Sequence, residues 1–394
     1  TTLMVQIHSL LLLANYTKQC YNDNMIKCPL PYMHMFVGQN FTKPCCNYAV
    51  DSDLTPSKFW ESDNLLHIRD QLESNIWPDG CKLCKQAEES HQLSLRQRSL
   101  NEYGTVVDPS VEYLDVRLSN KCNFKCRTCE PIFSSSIAKE SKLHNLSQFY
   151  GYDLDKNYIE HTPTITSDII NYLPTVKKLM FTGGEPTIID EFYTILDKCI
   201  DIEKHKDISL LVTTNASKIT DQFIEKINQF ENVHITLSID AVGKPAEYIR
   251  SGTIWLDVDA GIKRVLQTGH SVMFNTVLSA YSVPYLESLV DYIIDNEQDA
   301  YGADMYICNN PIHLHPCIYD QDKRNNLITI LSQCIIKFSN SNRVEDYLNA
   351  ITVMTDLKTQ LSVKQLDSSK FNLFTSTLDK IRDDHRNCWP NRFW

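Results

Sequence analysis

The stretch SNKCNFKCRTCE, residues 119–130, places Cys122, Cys126 and Cys129 within eight positions of one another. Three thiols in C-x3-C-x2-C spacing, on a loop directly after a predicted strand, are able to converge on one metal centre. A structural zinc site normally uses four protein ligands, and a cubane iron–sulfur cluster is normally held by four thiolates. Three thiolates therefore leave one iron open to a bidentate group, such as the amino and carboxylate groups of an amino acid. The spacing alone also allows a zinc site completed by a remote residue, or separate core cysteines.

The residues that follow these thiols alternate between strand-like and helix-like patterns. Six short runs rich in β-branched residues are separated by amphipathic segments; the runs are EYLDVRLS, VKKLMFTG, ISLLVTTN, VHITLSID, SVMFNTVL and DMYICNN. Strands that alternate with helices predict a parallel α/β sheet. Because no glycine-rich fingerprint follows the first strand, a dinucleotide-binding fold is disfavoured. We predict a partial (β/α)6 barrel with its site at the carboxyl ends of the strands.

The composition limits the classes of partner. A chain of 394 residues with 42% hydrophobic residues is able to form a sizeable core, and the net charge of −11 argues against a mainly electrostatic nucleic-acid binder. The apolar run from Leu10 to Ala14 is too short to span a bilayer. Cysteines in tight C-x-x-C spacings are typical of metal or redox sites in a reducing compartment. We expect a cytoplasmic protein with no membrane span and no nucleic-acid partner.

A second motif follows the second predicted strand in LMFTGGEPTI, residues 179–188. Gly183 and Gly184 permit a close ligand approach that side chains would block, Glu185 adds a carboxylate, and exposed carbonyls there are able to accept from an ammonium group. A GGEP sequence by itself is often only a turn. Its place after the second strand, downstream of three cysteines after the first, makes the combination specific.

The two motifs together resemble the radical S-adenosylmethionine (radical SAM) superfamily over roughly residues 111–310. Members carry C-x3-C-x2-C after the first strand of a partial (β/α)6 barrel and a GGE-type motif after the second. The resemblance implies that the three thiolates hold a [4Fe–4S] cluster, that the methionyl group of SAM chelates the open iron, and that the SAM amino group is met by Gly183, Gly184 and Glu185. It also implies reductive cleavage of SAM to methionine and a 5′-deoxyadenosyl radical, which abstracts a substrate hydrogen.

The resemblance extends to four further residues. Thr214 and Asn215 match a third-strand T-N-G pattern in which Ala216 replaces glycine, and Ser238 matches a fourth-strand serine near SAM. Arg250 is similar to an arginine that pairs with the SAM carboxylate. For the serine and threonine, a cap at a strand end is the competing interpretation.

Five cysteines precede the predicted barrel. A predicted hairpin over residues 25–50 carries Cys28 at one end and the pair Cys45–Cys46 at the other, and Cys81 and Cys84 form a C-x-x-C. This arrangement resembles the twitch modules of radical SAM enzymes, which hold auxiliary clusters, and an N-terminal twitch subgroup in particular. We predict one auxiliary [4Fe–4S] cluster on Cys28, Cys46, Cys81 and Cys84, with Cys45 able to replace Cys46. A structural zinc knuckle with four cysteine ligands is the alternative.

These interpretations define four segments and a function. The segments are an N-terminal extension (1–24), a twitch-like module (25–105), the barrel (106–320) and a C-terminal helical region (321–394). We expect a radical SAM enzyme that acts on a peptide or protein and receives electrons from a donor such as flavodoxin or ferredoxin. The alternatives are a small-molecule substrate (a nucleotide, sugar or aminocyclitol) and a non-catalytic iron–sulfur or zinc-binding scaffold.

Overall fold

The computed structural model describes residues 25–38, 40–90, 92–106, 108–150 and 164–383. The chain divides into two compact units, Thr1–Asp115 and Val116–Trp394. The predicted extension over residues 1–24 lies outside the described residues, and the predicted segment boundaries remain predictions.

The first unit is built from short elements. Its helices and strands are α1 (Leu30–Met33), β1 (His34–Val37), β2 (Thr42–Lys43), α2 (Pro56–Trp60), α3 (Asp63–Glu73), α4 (Lys82–Glu89), α5 (Leu95–Tyr103) and β3 (Tyr113–Val116), the last of which ends one residue into the second unit. Strands β1 and β2 pair antiparallel, with Phe36 opposite Lys43. The return strand of the hairpin is therefore shorter than the sequence predicts, because Pro44 has no amide hydrogen with which to continue the ladder. The residues CCNYAV form no strand.

The second unit alternates strands and helices as predicted. Its elements are β4 (Lys125–Cys126), α6 (Ser135–His144), α7 (Ser147–Tyr150), α8 (Thr164–Tyr172), β5 (Lys178–Phe181), α9 (Asp190–Asp201), β6 (Ser209–Thr214), α10 (Asp221–Ile227), β7 (Asn232–Ser238), α11 (Gly243–Ile249), β8 (Arg250–Ser251), α12 (Trp255–Leu266), β9 (Ser271–Leu278), α13 (Leu286–Asp295), β10 (Gly302–Ile307), α14 (Gln321–Ser339), α15 (Leu348–Val363) and α16 (Ser369–Arg382). The three last helices confirm the predicted helical C-terminal region.

Strands β5, β6, β7, β9 and β10 are neighbours in that order, and every pair is parallel. At the edge of β5, the Thr182 amide donates to the Val116 carbonyl over 3.0 Å. Mostly parallel strands covered by helices confirm the predicted α/β fold of the partial-barrel type.

The alternation of side chains along each strand explains where the core lies. In β9 every second residue is buried, including Val272, Phe274 and Leu278, and the residues between them are partly exposed. Since successive side chains of a strand point to opposite faces, the apolar set packs under helices and the other set, which includes Asn275, lines the inner wall. The polar ends of the strands are thereby directed into one cavity.

None of the helices in the described residues combines the length and the apolar character needed to cross a membrane.

Candidate active site

A cavity of about 400 Å3 opens at the carboxyl ends of the strands of the second unit. All ten residues predicted for the barrel site line it, namely Cys122, Cys126, Cys129, Gly183, Gly184, Glu185, Thr214, Asn215, Ser238 and Arg250. These residues come from separate loops along more than a hundred positions of the chain. The fold therefore brings the predicted set to one place.

The cysteine loop is held by backbone pairing at its middle cysteine, Cys126. Strand β4 pairs antiparallel with β8, so that Cys126 lies opposite Arg250. The Arg127 amide donates to the Ile249 carbonyl over 2.8 Å. This short ladder places the Arg250 backbone beside the middle thiol.

Burial dominates the ionisation of the three thiols. Loss of solvent raises the pKa of Cys122 to about 12 and also raises the pKa of Cys126 and Cys129. The Arg250 guanidinium acts in the opposite direction on all three. Because a metal binds the thiolate, ligation would displace three protons that the apo site retains at neutral pH.

The GGE turn packs against the start of the cysteine loop. Gly184 has φ +58°, and a Cβ placed on it would lie 2.4 Å from the Lys121 carbonyl oxygen and 2.8 Å from that of Ser119. The Glu185 amide donates to the same Lys121 oxygen over 2.9 Å. Only glycine fits this close approach of two backbones, which forms a cradle at the cavity wall.

Glu185 is a buried carboxylate with four donors around it. Its oxygens accept from Thr214 Oγ1 (2.6 Å), the Asn215 amide (2.7 Å), and Thr187 Oγ1 and amide (2.8 and 3.3 Å). Burial raises the pKa of Glu185 above its ordinary value, although these donors act to lower it. The Glu185 carboxylate therefore joins the GGE turn, which follows β5, to the end of β6.

Asn215 connects β6 to the interior of the cysteine loop. Its Nδ2 donates to Asn123 Oδ1 over 3.0 Å, and Asn123 Nδ2 donates to Ser217 Oγ over 2.8 Å. The next residue, Ala216, has φ +60° where the family pattern has glycine. This left-handed conformation costs a non-glycine residue about 1 kcal/mol. Ala216 therefore keeps the turn conformation that glycine would adopt, but with backbone strain.

Arg250 reaches the cavity with one buried donor lacking a partner. Its Nη1 pairs with Asp240 Oδ2 at 3.2 Å, and Asp240 Oδ1 accepts from the Val277 amide over 3.0 Å. The Arg250 Nε is buried and has no hydrogen-bond partner among the described residues. Because an unsatisfied buried donor is costly, this atom is suited to an anionic ligand in the cavity.

Several lining residues are not predicted from the sequence. The additional polar or aromatic ones include Arg117, Glu130, Phe133, Asp240, Asn275 and Asn310. Arg117 stacks on the Phe133 ring at 4.9 Å, and Asn310 Nδ2 donates to Glu130 Oε1 over 3.1 Å. Asp240 lies at a strand end two residues after Ser238, which is the one sequence signal that would have identified it.

The first unit holds a second group of thiols. Cys28, Cys45, Cys81 and Cys84 line one space of about 20 Å3, together with Arg96. Cys46, predicted as the fourth ligand, is exposed and does not line this space. The structure therefore favours Cys45, the alternative that the sequence leaves open.

Arg96 is held firmly beside these thiols. Its Nε and Nη2 donate to the two oxygens of Glu88 over 2.8 and 2.7 Å, and its Nη1 donates to the Lys27 carbonyl over 2.7 Å. Burial raises the pKa of Cys28 and of Cys81 to about 12, while Arg96 acts to lower both. A fixed cation here favours negatively charged thiolates.

In neither unit do three or more His, Cys, Asp or Glu side chains of the described residues converge closely enough to bind a single metal ion.

Glu185→Gln is expected to lower the free energy of unfolding by about 2 kcal/mol, because an amide NH2 would face donors that now bond to a carboxylate. Urea denaturation measures the change. Glu225→Gln, an exposed position on α10, is the matched control and should alter stability by less than about 0.5 kcal/mol. Equal stability of the two variants would contradict the role of Glu185 in joining the GGE turn to β6.

Comparisons with known proteins define the class. The family model of the radical SAM superfamily matches residues 116–291. A GTP 3′,8-cyclase of Campylobacter lari is 31% identical over 45% of this chain and 49% of that protein, and one of Sulfurovum sp. is 27% identical over 47% and 52%. Streptococcus suis SuiB bound to S-adenosylmethionine is similar in structure, with a TM-score of 0.40 and 18% identity over 73% of this chain and 60% of that one. The chain spans about half the length of the curated relatives it matches.

The α/β fold and the site with three cysteines resemble those of a class of cofactor-dependent enzymes. Within it, residues 116–291 form a domain that matches the radical SAM superfamily. The predicted superfamily is thus confirmed, and S-adenosylmethionine and a [4Fe–4S] cluster are its expected cofactors. The twitch subgroup stays a prediction.

Proposed function

We propose that this protein is a radical SAM enzyme whose cavity at residues 117–310 binds a [4Fe–4S] cluster and S-adenosylmethionine. The convergence of all ten predicted residues on one cavity carries this proposal. Two features fit the cofactors: a glycine cradle that a Cβ would fill, and the buried Arg250 Nε without a partner.

Each residue has a role in binding and orientation. Cys122, Cys126 and Cys129 would hold the cluster as thiolates. Arg250 would pair with the carboxylate of SAM, and the backbone at Gly183 and Gly184 would accept from its amino group. When bound, the cluster and SAM would supply one-electron reductive cleavage of the sulfonium, with the electron coming from an external donor, and abstraction of a hydrogen atom from the substrate.

Thr214, Asn215 and Glu185 support the residues that would contact the cofactors. Hydrogen bonds link them to one another and to Asn123. We infer that they orient the cradle and the cysteine loop rather than donate to SAM. Ser238, at the end of β7, lies on the cavity wall where it is able to meet the nucleoside part.

The charges of the cavity bear on the substrate. Its described lining carries Arg117 and Arg250 against Glu130, Glu185 and Asp240, and Arg250 already pairs with Asp240. This lining offers no net positive charge to a polyanion such as a nucleoside triphosphate. A peptide or protein side chain therefore remains the first candidate. A small molecule is the second, because relatives that match the domain are GTP 3′,8-cyclases.

For the first unit we propose an auxiliary [4Fe–4S] cluster on Cys28, Cys45, Cys81 and Cys84. Four thiols that face one space beside a fixed Arg96 support this proposal. A single zinc ion on the same four cysteines is the alternative, since a structural zinc site also takes four thiolate ligands. Metal analysis distinguishes them.

The proposed setting is the cytoplasm, with flavodoxin or ferredoxin as the class of electron donor. All twelve cysteines of the described ranges are free thiols, as expected in a reducing compartment.

The function is tested by oxygen-free reconstitution with iron and sulfide, reduction with dithionite, and addition of SAM. The full chain should form 5′-deoxyadenosine, Cys126→Ala should form none, and Cys199→Ala, a buried cysteine of α9, should retain the wild-type rate. Formation by wild type no faster than by Cys126→Ala would reject the enzyme. The non-catalytic scaffold would then be the better interpretation.

A further inference from the structure

The last described helix, α16, is tied by ion pairs to the cysteine loop more than 240 positions earlier. Asp379 Oδ1 pairs with Arg127 Nη2 at 2.8 Å, and Arg382 Nη2 pairs with Glu140 Oε2 at 2.6 Å. Lys125 Nζ pairs with the same Glu140 at 2.7 Å. The two connections therefore end on the residues immediately before and after Cys126.

Arg127 is anchored from several directions. Its residue exposure is 1%, its Nε donates to the Tyr248 carbonyl over 3.1 Å, and its guanidinium lies 3.8 Å from the centre of the Tyr248 ring. Tyr248 OH donates to Asp379 over 2.7 Å. A buried guanidinium needs such compensation, and Asp379 is the carboxylate that provides it.

The second connection is also buried. The side chains of Arg382 and Glu140 are 2% and 6% exposed, and Arg382 Nε also donates to both oxygens of Glu140. Burial acts to raise the pKa of Glu140, but Arg382 and Lys125 hold it below its ordinary value. The pair is therefore ionised, and it joins α16 to α6 and to the cysteine loop.

Simple packing of a terminal helix needs only an apolar face, which α16 has in Phe371, Phe374 and Leu378. The polar connections are additional to that face. Both connections end on the chain neighbours of Cys126, namely Lys125 through Glu140 and Arg127 directly. An anionic centre gains most from cations that are held in place before it forms.

We propose that α16 is part of the cluster-binding site, with Asp379 and Arg382 as positioning residues that fix the cysteine loop on both sides of Cys126. The proposal rests on the proposed function of the cavity. The helix holds the loop in its ligating conformation, so that loss of either connection loosens the hold on iron without removing any ligand.

The test uses the full chain with Cys81→Ala and Cys84→Ala, so that iron reports on the barrel site alone. After reconstitution, release of iron to a ferrous chelator should be about tenfold faster or more in Arg382→Gln, and Arg382→Lys should restore most of the retention. The midpoint potential and the SAM-induced change in the electron paramagnetic resonance spectrum should shift in Arg382→Gln. Lys125→Gln, at a position whose side chain is 33% exposed, breaks the same connection without endangering the fold and should also speed release.

Arg324→Gln is the matched control. Arg324 is a buried arginine of α14, 4% exposed, that donates to Gln321 Oε1 within the helix and to the Lys364 carbonyl after α15. It should change thermal stability but not iron release or the spectrum. If Arg382→Gln and Lys125→Gln release iron no faster than Arg324→Gln, the positioning role is overturned while the proposed function stands. If the parent chain retains no iron and shows no response to SAM, both fail.

Discussion

Gly184→Ala is expected to lower the rate of 5′-deoxyadenosine formation about 100-fold while the chain still folds. The added Cβ would lie within 3 Å of two backbone carbonyl oxygens, those of Lys121 and Ser119. Neither oxygen belongs to a flexible side chain, so the GGE turn and the cysteine loop must separate. A displacement of reacting groups by about 1 Å is enough to lower a reaction rate about 100-fold. The rate and the affinity for SAM, measured on reconstituted protein, check the prediction.

Gly269→Ala separates the clash from backbone strain. Gly269 also has positive φ, +74°, but a Cβ there meets nothing within 4 Å. Both variants share a conformational cost of about 1 kcal/mol, so their thermal stability should fall by comparable amounts from this source. Only Gly184→Ala should lose activity. Similar activity in the two variants would show that the contact of the two loops is unimportant for the site.

Cys45→Ala and Cys46→Ala are expected to differ sharply in metal content despite being neighbours. Cys45 lines the space that Cys28, Cys81 and Cys84 share, and Cys46 is exposed. Loss of one of four thiolates should remove the auxiliary cluster, leaving about four of about eight irons per chain in Cys45→Ala. Cys46→Ala should keep all of them. Iron, sulfide and zinc analysis of reconstituted protein checks this outcome.

The opposite pattern, with iron lost in Cys46→Ala and kept in Cys45→Ala, would restore the ligand set first predicted from the sequence. Iron near four per chain in wild type, with about one zinc that Cys45→Ala loses, would establish the zinc knuckle. That result would leave the proposed chemistry of the barrel unchanged, because none of its ten predicted residues lies in the first unit.

The six strands and the helices between them were predictable because their signals are local. Alternating apolar residues such as Val272 and Phe274 fix the face that a strand buries, and helical spacing does the same for α9 and α13. The hairpin of the first unit was predicted less well. Its return strand β2 ends after Lys43, because the next residue, Pro44, has no amide hydrogen to donate to the ladder.

The sequence by itself determined the residues of the candidate site: three thiols at fixed spacing, a GGE turn after the second predicted strand, and the alternation that places both at one edge of a sheet. Only the tertiary structure decided which of Cys45 and Cys46 faces the other thiols, because neighbouring side chains point in different directions. It alone also joined α16 to the cysteine loop, since ion pairs across 242 and 252 positions leave no periodic trace in the sequence.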